Sequence, residues 1–126
     1  MSLRSPLGKV LGSGSAKEGA DHWWAQRLTA IALVLLGGWF LLALMQIGDF
    51  GYEAVRNWIG RPVTSILLLL LSATLAYHSL LGVQVVIEDY VHGPLKIVSL
   101  VLSKFAHAAV AATAAFAVLK IAFGIA

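Results

Sequence analysis

The chain has 126 residues, of which 60% are hydrophobic and 12% are charged, and its mean hydropathy is +0.87. The charged fraction is about half that of an ordinary soluble domain, which indicates one small integral membrane domain. The lack of cysteine excludes disulfides, thiolate zinc sites and cysteine-held iron–sulfur clusters, and a net charge of +3 distributed around apolar segments argues against nucleic acid as a partner.

Residues 1–26 form a polar tail before the first apolar segment. That segment is too long for the apolar core of a secretory signal, which is roughly 7–15 residues. Lysine and arginine favour the tail side of the membrane by six to three, which predicts a cytoplasmic N-terminus. The six are Arg4, Lys9, Lys17, Arg27, Lys96 and Lys104, and the three are Arg56, Arg61 and Lys120.

Residues 27–126 form the predicted membrane anchor domain, with apolar spans at about 28–47, 63–87 and 97–125. Each span is close to the ~20 residues that a bilayer core of about 30 Å requires. Helices satisfy their own backbone hydrogen bonds in lipid, so the predicted fold is all-α, with three transmembrane helices in a bundle.

Two connectors separate the spans. Residues 48–62 combine charged with aromatic side chains, which predicts a short interfacial helix that ends at Gly60 and Pro62. The second connector is predicted to be tight, because residues 92–94 (His-Gly-Pro) break the preceding helix.

His78 lies near the middle of the second span, where an ionisable side chain is costly and by default indicates a function. It shares a helical stripe with Gly82, Val85 and Asp89, at positions i, i+4, i+7 and i+11. A neutral imidazole can bind haem iron, and Gly82 leaves room for a flat macrocycle. A hydrogen bond from His78 to a neighbouring helix, with Gly82 as a packing contact, is the open alternative.

The sequence predicts no second histidine at the depth of His78. His22 and His92 are interfacial, and His107 is placed nearer the cytoplasmic end of its span. Ligation of a metal by two histidines would therefore require a partner subunit.

The cytoplasmic end of the second span carries Asp89 and Tyr90. A phenol at this boundary can donate a hydrogen bond to a quinone carbonyl, and a carboxylate can orient the quinone or relay protons. Arg27 begins the first span and can pair with an anionic group. Ordinary helix-end and charge-anchor roles remain open for all three residues.

Residues 78–90, HSLLGVQVVIEDY, resemble the His-x3-Gly-x6-Asp-Tyr signature of the small hydrophobic anchor subunit of succinate dehydrogenase, or respiratory complex II. Residues 22–30, HWWAQRLTA, are similar to that family's segment entering its first helix. The three spans, the chain length and the absence of cysteine fit the same family. The resemblance covers the chain from about Lys17 onward.

The resemblance implies a non-catalytic anchor subunit, not an enzyme by itself, in the electron transport that links the tricarboxylic acid cycle to the respiratory chain. His78 would be an axial ligand of haem b, which a sister cytochrome b-type anchor subunit would share. Arg27 would lie near the haem propionates or the quinone, and Gly82 would lie near the haem. Tyr90 would hydrogen-bond ubiquinone as substrate, and Asp89 would support that site.

The implied partners are the sister anchor subunit, the iron–sulfur subunit, the flavoprotein subunit and membrane lipid. The implied location is the bacterial inner membrane, in preference to the mitochondrial inner membrane. One alternative is a haem-free anchor of the fumarate reductase type, in which His78 is a packing residue. Another is a small transporter or structural membrane subunit, in which His78 and Asp89 relay protons. The sequence assigns no role to Glu88, His107 or the tail.

Overall fold

The computed structural model of the chain describes residues 18–125. In this part of the chain the helices are α1 (Glu18–Ile47), α2 (Tyr52–Ile59), α3 (Pro62–Tyr90) and α4 (Pro94–Ala122), and there are no strands. Helices α1, α3 and α4 are long and apolar enough to cross a membrane. The prediction of an all-α, multi-pass membrane protein with three spans is confirmed.

Helix α1 begins at Glu18 rather than near residue 28. Its 30 residues measure about 45 Å at about 1.5 Å per residue, which exceeds a bilayer core of about 30 Å. The backbone hydrogen bonds of a helix do not require apolar side chains, so α1 continues through the polar residues 18–26. Of the polar tail predicted for residues 1–26, residues 1–17 lie outside the described residues.

Helix α3 lies between α1 and α4 and runs antiparallel to both. Thr29, in the first half of α1, contacts His78, just past the middle of α3. The next residue, Ser79, meets His107 in the first half of α4. Within the described residues α1 and α4 do not pack against each other, so α3 is the central helix of an open bundle.

This open bundle buries very little of its own apolar surface. Among the described residues Leu81 is the one apolar side chain that is buried, at 6% exposure, and Thr64 and Ser65 are the buried polar ones. Exposed apolar side chains are not penalised in lipid, whose tails are equally apolar. The outer faces of all three long helices are therefore available to lipid or to another membrane subunit.

The short helix α2 packs against the N-terminal end of α3 and against α1. Trp58 stacks on Trp39 of α1, with ring centroids 6.3 Å apart and an interplanar angle of 13°. The Ser65 hydroxyl donates a hydrogen bond to the Ile59 carbonyl at 2.5 Å. The helix predicted between the first two spans is confirmed.

A tight turn joins α3 to α4. Gly93 has a φ of +68°, a conformation that glycine adopts at little cost and that other residues disfavour. Val91 N–H donates to the Ile87 carbonyl at 3.0 Å, and Lys96 Nζ donates to the Glu88 carbonyl at 3.1 Å. These bonds close the end of α3 and start α4 immediately after it, as the His-Gly-Pro sequence predicts.

Candidate functional site

His78 is held against the first span by two polar side chains. Its Nδ1 lies 2.9 Å from Oγ1 of Thr29, and its Nε2 lies 3.4 Å from Nε2 of Gln26. Gln26 and Thr29 are three positions apart on α1 and therefore share one face of that helix. The part-buried imidazole thus lies in the seam between α1 and α3, hydrogen-bonded to the neighbouring helix.

The partners of Thr29 decide which ring nitrogen of His78 carries the proton. The Thr29 hydroxyl has a single hydrogen, and it points back to the Ala25 and Gln26 carbonyls at 2.7 and 3.1 Å. Its oxygen is therefore an acceptor towards His78, so Nδ1 is the N–H donor. Nε2 then keeps its lone pair, which agrees with its neighbour, since an amide nitrogen can only donate.

Gly82 lies one turn after His78 and opens the helix surface at that point. A Cβ atom added at Gly82 would lie 3.8 Å from Nε2 of Gln26. Apart from its own stretch of helix, it would have no other neighbour within 4 Å in the described chain. The Gln26 amide therefore lies against both the His78 lone pair and the Gly82 backbone. Its Oε1 is buried and has no hydrogen-bond partner in the described part of the chain. A buried unpaired amide oxygen is unfavourable, so this side chain is easily displaced.

Arg27 lies at the depth of His78 rather than at the end of α3. Its guanidinium sits 5.4 Å from the centroid of the Trp23 ring, within the range of a cation–π contact. Because Thr29 faces His78, Arg27 lies near the level of Leu80 in the antiparallel register. That level is about ten residues, or roughly 15 Å, from Tyr90 along the helix axis.

Asp89 and Tyr90 end α3 on its exposed surface. Tyr90 is 80% exposed and Asp89 is exposed as well. Neither side chain has a hydrogen-bond or ion-pair partner within residues 18–125. The preceding Glu88 accepts a hydrogen bond from the Gln84 amide at 2.8 Å. The described chain therefore leaves the phenol and the carboxylate accessible at one end of the bundle, without joining them to Arg27.

His107 lies at the level of Ser79, one residue after His78, so the prediction that no second histidine lies at the depth of His78 is wrong. Its Nε2 is 3.1 Å from the Ser79 hydroxyl, one residue after His78. Its Nδ1 donates to the Ser103 carbonyl at 2.7 Å, which leaves Nε2 to accept from Ser79. His78 faces α1 whereas His107 reaches α3 from α4. The two histidines therefore do not form a pair, and His107 joins two helices of this chain.

Gln26 and Thr29, the partners of His78, were not among the predicted site residues. A usable signal was present in their spacing. Two polar residues three positions apart at the start of an apolar span form a polar patch on one helix face. Such a patch at membrane depth needs a polar partner on a neighbouring helix.

Taken together, the three apolar helices and the intramembrane histidine define a small multi-pass membrane subunit with a polar site inside its helix seam. The model of the succinate dehydrogenase/fumarate reductase transmembrane subunit family matches residues 1–120. Because that match covers most of the chain, the protein belongs to this family. No solved structure matches the chain.

Curated relatives agree with the family match. The chain is 40% identical over 89 residues, 71% of each chain, to the succinate dehydrogenase hydrophobic membrane anchor subunit of Rickettsia bellii. It is 28% identical over 120 residues, 95% of this chain and 93% of the relative, to the subunit of the same name from Paracoccus denitrificans. It is 36% identical over 98 residues, 75% of this chain and 82% of the relative, to the membrane anchor subunit of Reclinomonas americana. The prediction of an anchor-type subunit that is not an enzyme by itself is confirmed.

Proposed function

We propose that this chain is a membrane anchor subunit of a succinate:ubiquinone oxidoreductase. It docks the flavoprotein and iron–sulfur subunits, ligates haem b together with a sister cytochrome b-type anchor subunit, and helps to form the ubiquinone-reduction site. The observation that carries the proposal is the orientation of His78. Thr29 contacts its Nδ1, and its Nε2 and the open backbone at Gly82 both face the Gln26 amide.

The residues around His78 fit a haem. The nitrogen that binds haem iron must carry a lone pair, and Nε2 of His78 does. The groups beside it are a glycine and the Gln26 amide, whose buried oxygen is unpaired among the described residues. Displacing that side chain would uncover Nε2 of His78 and the helix surface at Gly82.

In the proposed complex His78 would hold the iron, Gly82 would let the macrocycle approach α3, and Arg27 would pair with a propionate. When bound, the haem supplies one-electron redox chemistry. A second iron ligand would come from the sister subunit, because His107 is engaged by Ser79 and Ser103 on the other seam of α3. The site is therefore shared between two subunits, and the exposed faces of the open bundle provide surface for that contact.

The proposed quinone site lies at the end of α3. The Tyr90 phenol donates a hydrogen bond to a quinone carbonyl, and Asp89 orients it or relays protons. Both side chains are exposed and are without partners in the described part of this chain, so they are available to a ligand. The distance of roughly 15 Å between the levels of Arg27 and Tyr90 supports assigning Arg27 to the haem end of the site.

We place the protein in the bacterial inner membrane with a cytoplasmic N-terminus. The six-to-three distribution of lysine and arginine supports this orientation. In that orientation Tyr90 and the start of α4 face the cytoplasm, the side on which soluble subunits oxidising succinate would dock.

The chain provides a matched control for testing the haem assignment. His78→Ala and His107→Ala each remove one part-buried imidazole at the same depth, on opposite seams of α3. In the purified complex, His78→Ala should lose the reducible b-type absorption bands and His107→Ala should keep them. Loss of haem in both variants with reduced recovery of partner subunits would indicate a general packing defect instead. Retention of haem in His78→Ala would refute the ligand assignment.

A further inference from the structure

We propose that Thr29 is a positioning residue that fixes the tautomer and the ring orientation of His78 for iron binding. This inference rests on the proposed haem-ligand function of His78. It concerns α1, a helix that supplies no iron ligand in that proposal. The juxtaposition that carries it is the 2.9 Å contact between Thr29 Oγ1 and His78 Nδ1.

Thr29 can act in this way because its own hydroxyl proton is already engaged. That proton is directed to the Ala25 and Gln26 carbonyls, four and three residues earlier on the same helix. A threonine bonded in this manner holds a restricted χ1 rotamer within a helix. The acceptor lone pair is thus presented to α3 from a rigid position, and only the Nδ1–H tautomer of His78 can use it.

The Gln26 amide lies on the other side of the ring. Its nitrogen is 3.4 Å from Nε2 and in this orientation can donate to a lone pair at that atom. The two α1 residues contact different nitrogens of the ring. Thr29 contacts Nδ1, which would not bind iron, and Gln26 covers Nε2, which would bind it. Without the Thr29 oxygen the ring could turn about its Cβ–Cγ bond, or its proton could move to Nε2.

An outer hydrogen bond of this kind has two measurable consequences. It orients the ligand, and loss of such a partner typically weakens metal binding by about 10- to 100-fold. It also makes the imidazole a stronger electron donor, which favours the ferric state. Removing the acceptor should therefore speed haem dissociation roughly 10- to 100-fold and shift the haem midpoint potential to more positive values.

The test compares substitutions of Thr29 with a matched substitution of Thr113 in the purified complex. Thr29→Val keeps the branched shape and removes the acceptor, and Thr29→Ser restores a hydroxyl. Thr113→Val is the matched control, because Thr113 bonds back to the Ala109 carbonyl at 2.8 Å on α4 without touching His78. We expect faster haem loss and a positive potential shift in Thr29→Val alone, with Thr29→Ser and Thr113→Val close to the parent chain.

Two results would overturn the positioning role. The first is a Thr29→Val complex whose haem dissociation and midpoint potential match those of Thr113→Val. The second is failed assembly of both Thr29→Val and the smaller Thr29→Ala while Thr29→Ser assembles, which would assign the hydroxyl to helix packing. Neither result touches the ligand assignment, since His78→Ala tests that separately by loss of haem.

Discussion

Replacing Gly82 with alanine should change the stability of α3 and its affinity for haem in opposite directions. Glycine in a helix interior is less favourable than alanine by about 1 kcal/mol. The new Cβ would lie 3.8 Å from the Gln26 amide, an ordinary van der Waals distance. Nothing in the described chain opposes the substitution, so α3 should become more stable by up to about 1 kcal/mol, or about fivefold in its folding equilibrium.

Haem binding should change in the opposite direction. A methyl group projects about 1.5 Å from the Cα atom, into the space that a macrocycle would use beside Nε2 of His78. Forcing an added carbon into a packed contact typically costs about 1–3 kcal/mol. That range corresponds to a weakening of haem affinity by roughly 5- to 150-fold at about 1.4 kcal/mol per factor of ten.

The assay measures haem content and thermal stability in the same purified complex. Gly38→Ala is the control, because Gly38 also lies in a long helix and has no neighbour within 4 Å of its Cβ position. Gly82→Ala should stay assembled and lose haem, whereas Gly38→Ala should stay assembled and keep it. Equal haem content in the two variants would mean that Gly82 does not border the macrocycle.

Three further predictions follow from individual contacts. Gln26→Ala removes the amide that lies 3.4 Å from Nε2 of His78, so a haem-depleted complex should take up added haem faster than the parent. An unchanged uptake rate would mean that Gln26 does not cover Nε2. Tyr90→Phe should impair quinone reduction while succinate oxidation by an artificial acceptor persists; equal loss of both activities would indicate failed assembly. Ser65→Ala removes the bond to the Ile59 carbonyl and should lower stability by about 1 kcal/mol, measured by thermal denaturation, with Ser72→Ala as a control within α3.

The membrane spans could be predicted from sequence because lipid imposes a length and a polarity on them. Hydropathy identified three of them correctly, and the helix that contains the first extends back to Glu18, ten residues before the predicted apolar span. The helix is longer than the span because its backbone hydrogen bonding continues where its hydropathy falls. Gly60 and Gly93 were identified correctly as the ends of segments, since turns and caps depend on local chemistry.

The site was only partly predictable. The spacing of His78 and Gly82 on one face follows from helical periodicity alone. The contact of His78 with Thr29 depends on the register between α1 and α3, which the connector and its stacked Trp58 determine. No pattern within one helix encodes that register.

The depth of His107 was misjudged for a different reason. It was measured from an approximate span boundary at residue 97, whereas α4 starts at Pro94, directly after the turn. Counted from Gly93, His107 and His78 are nearly equidistant along antiparallel helices, which brings His107 to Ser79. Depth is better counted from the turn, because α3 ends just before it and α4 begins at Pro94.

The proposed function requires this chain to ligate haem b in a complex that oxidises succinate. The most direct measurement is the absorption spectrum of the wild-type complex, purified through a tag on this chain, before and after addition of succinate. We expect b-type Soret and α bands that succinate reduces. A complex that transfers electrons from succinate to quinone without any haem absorption would refute haem ligation by this chain and would identify a haem-free anchor.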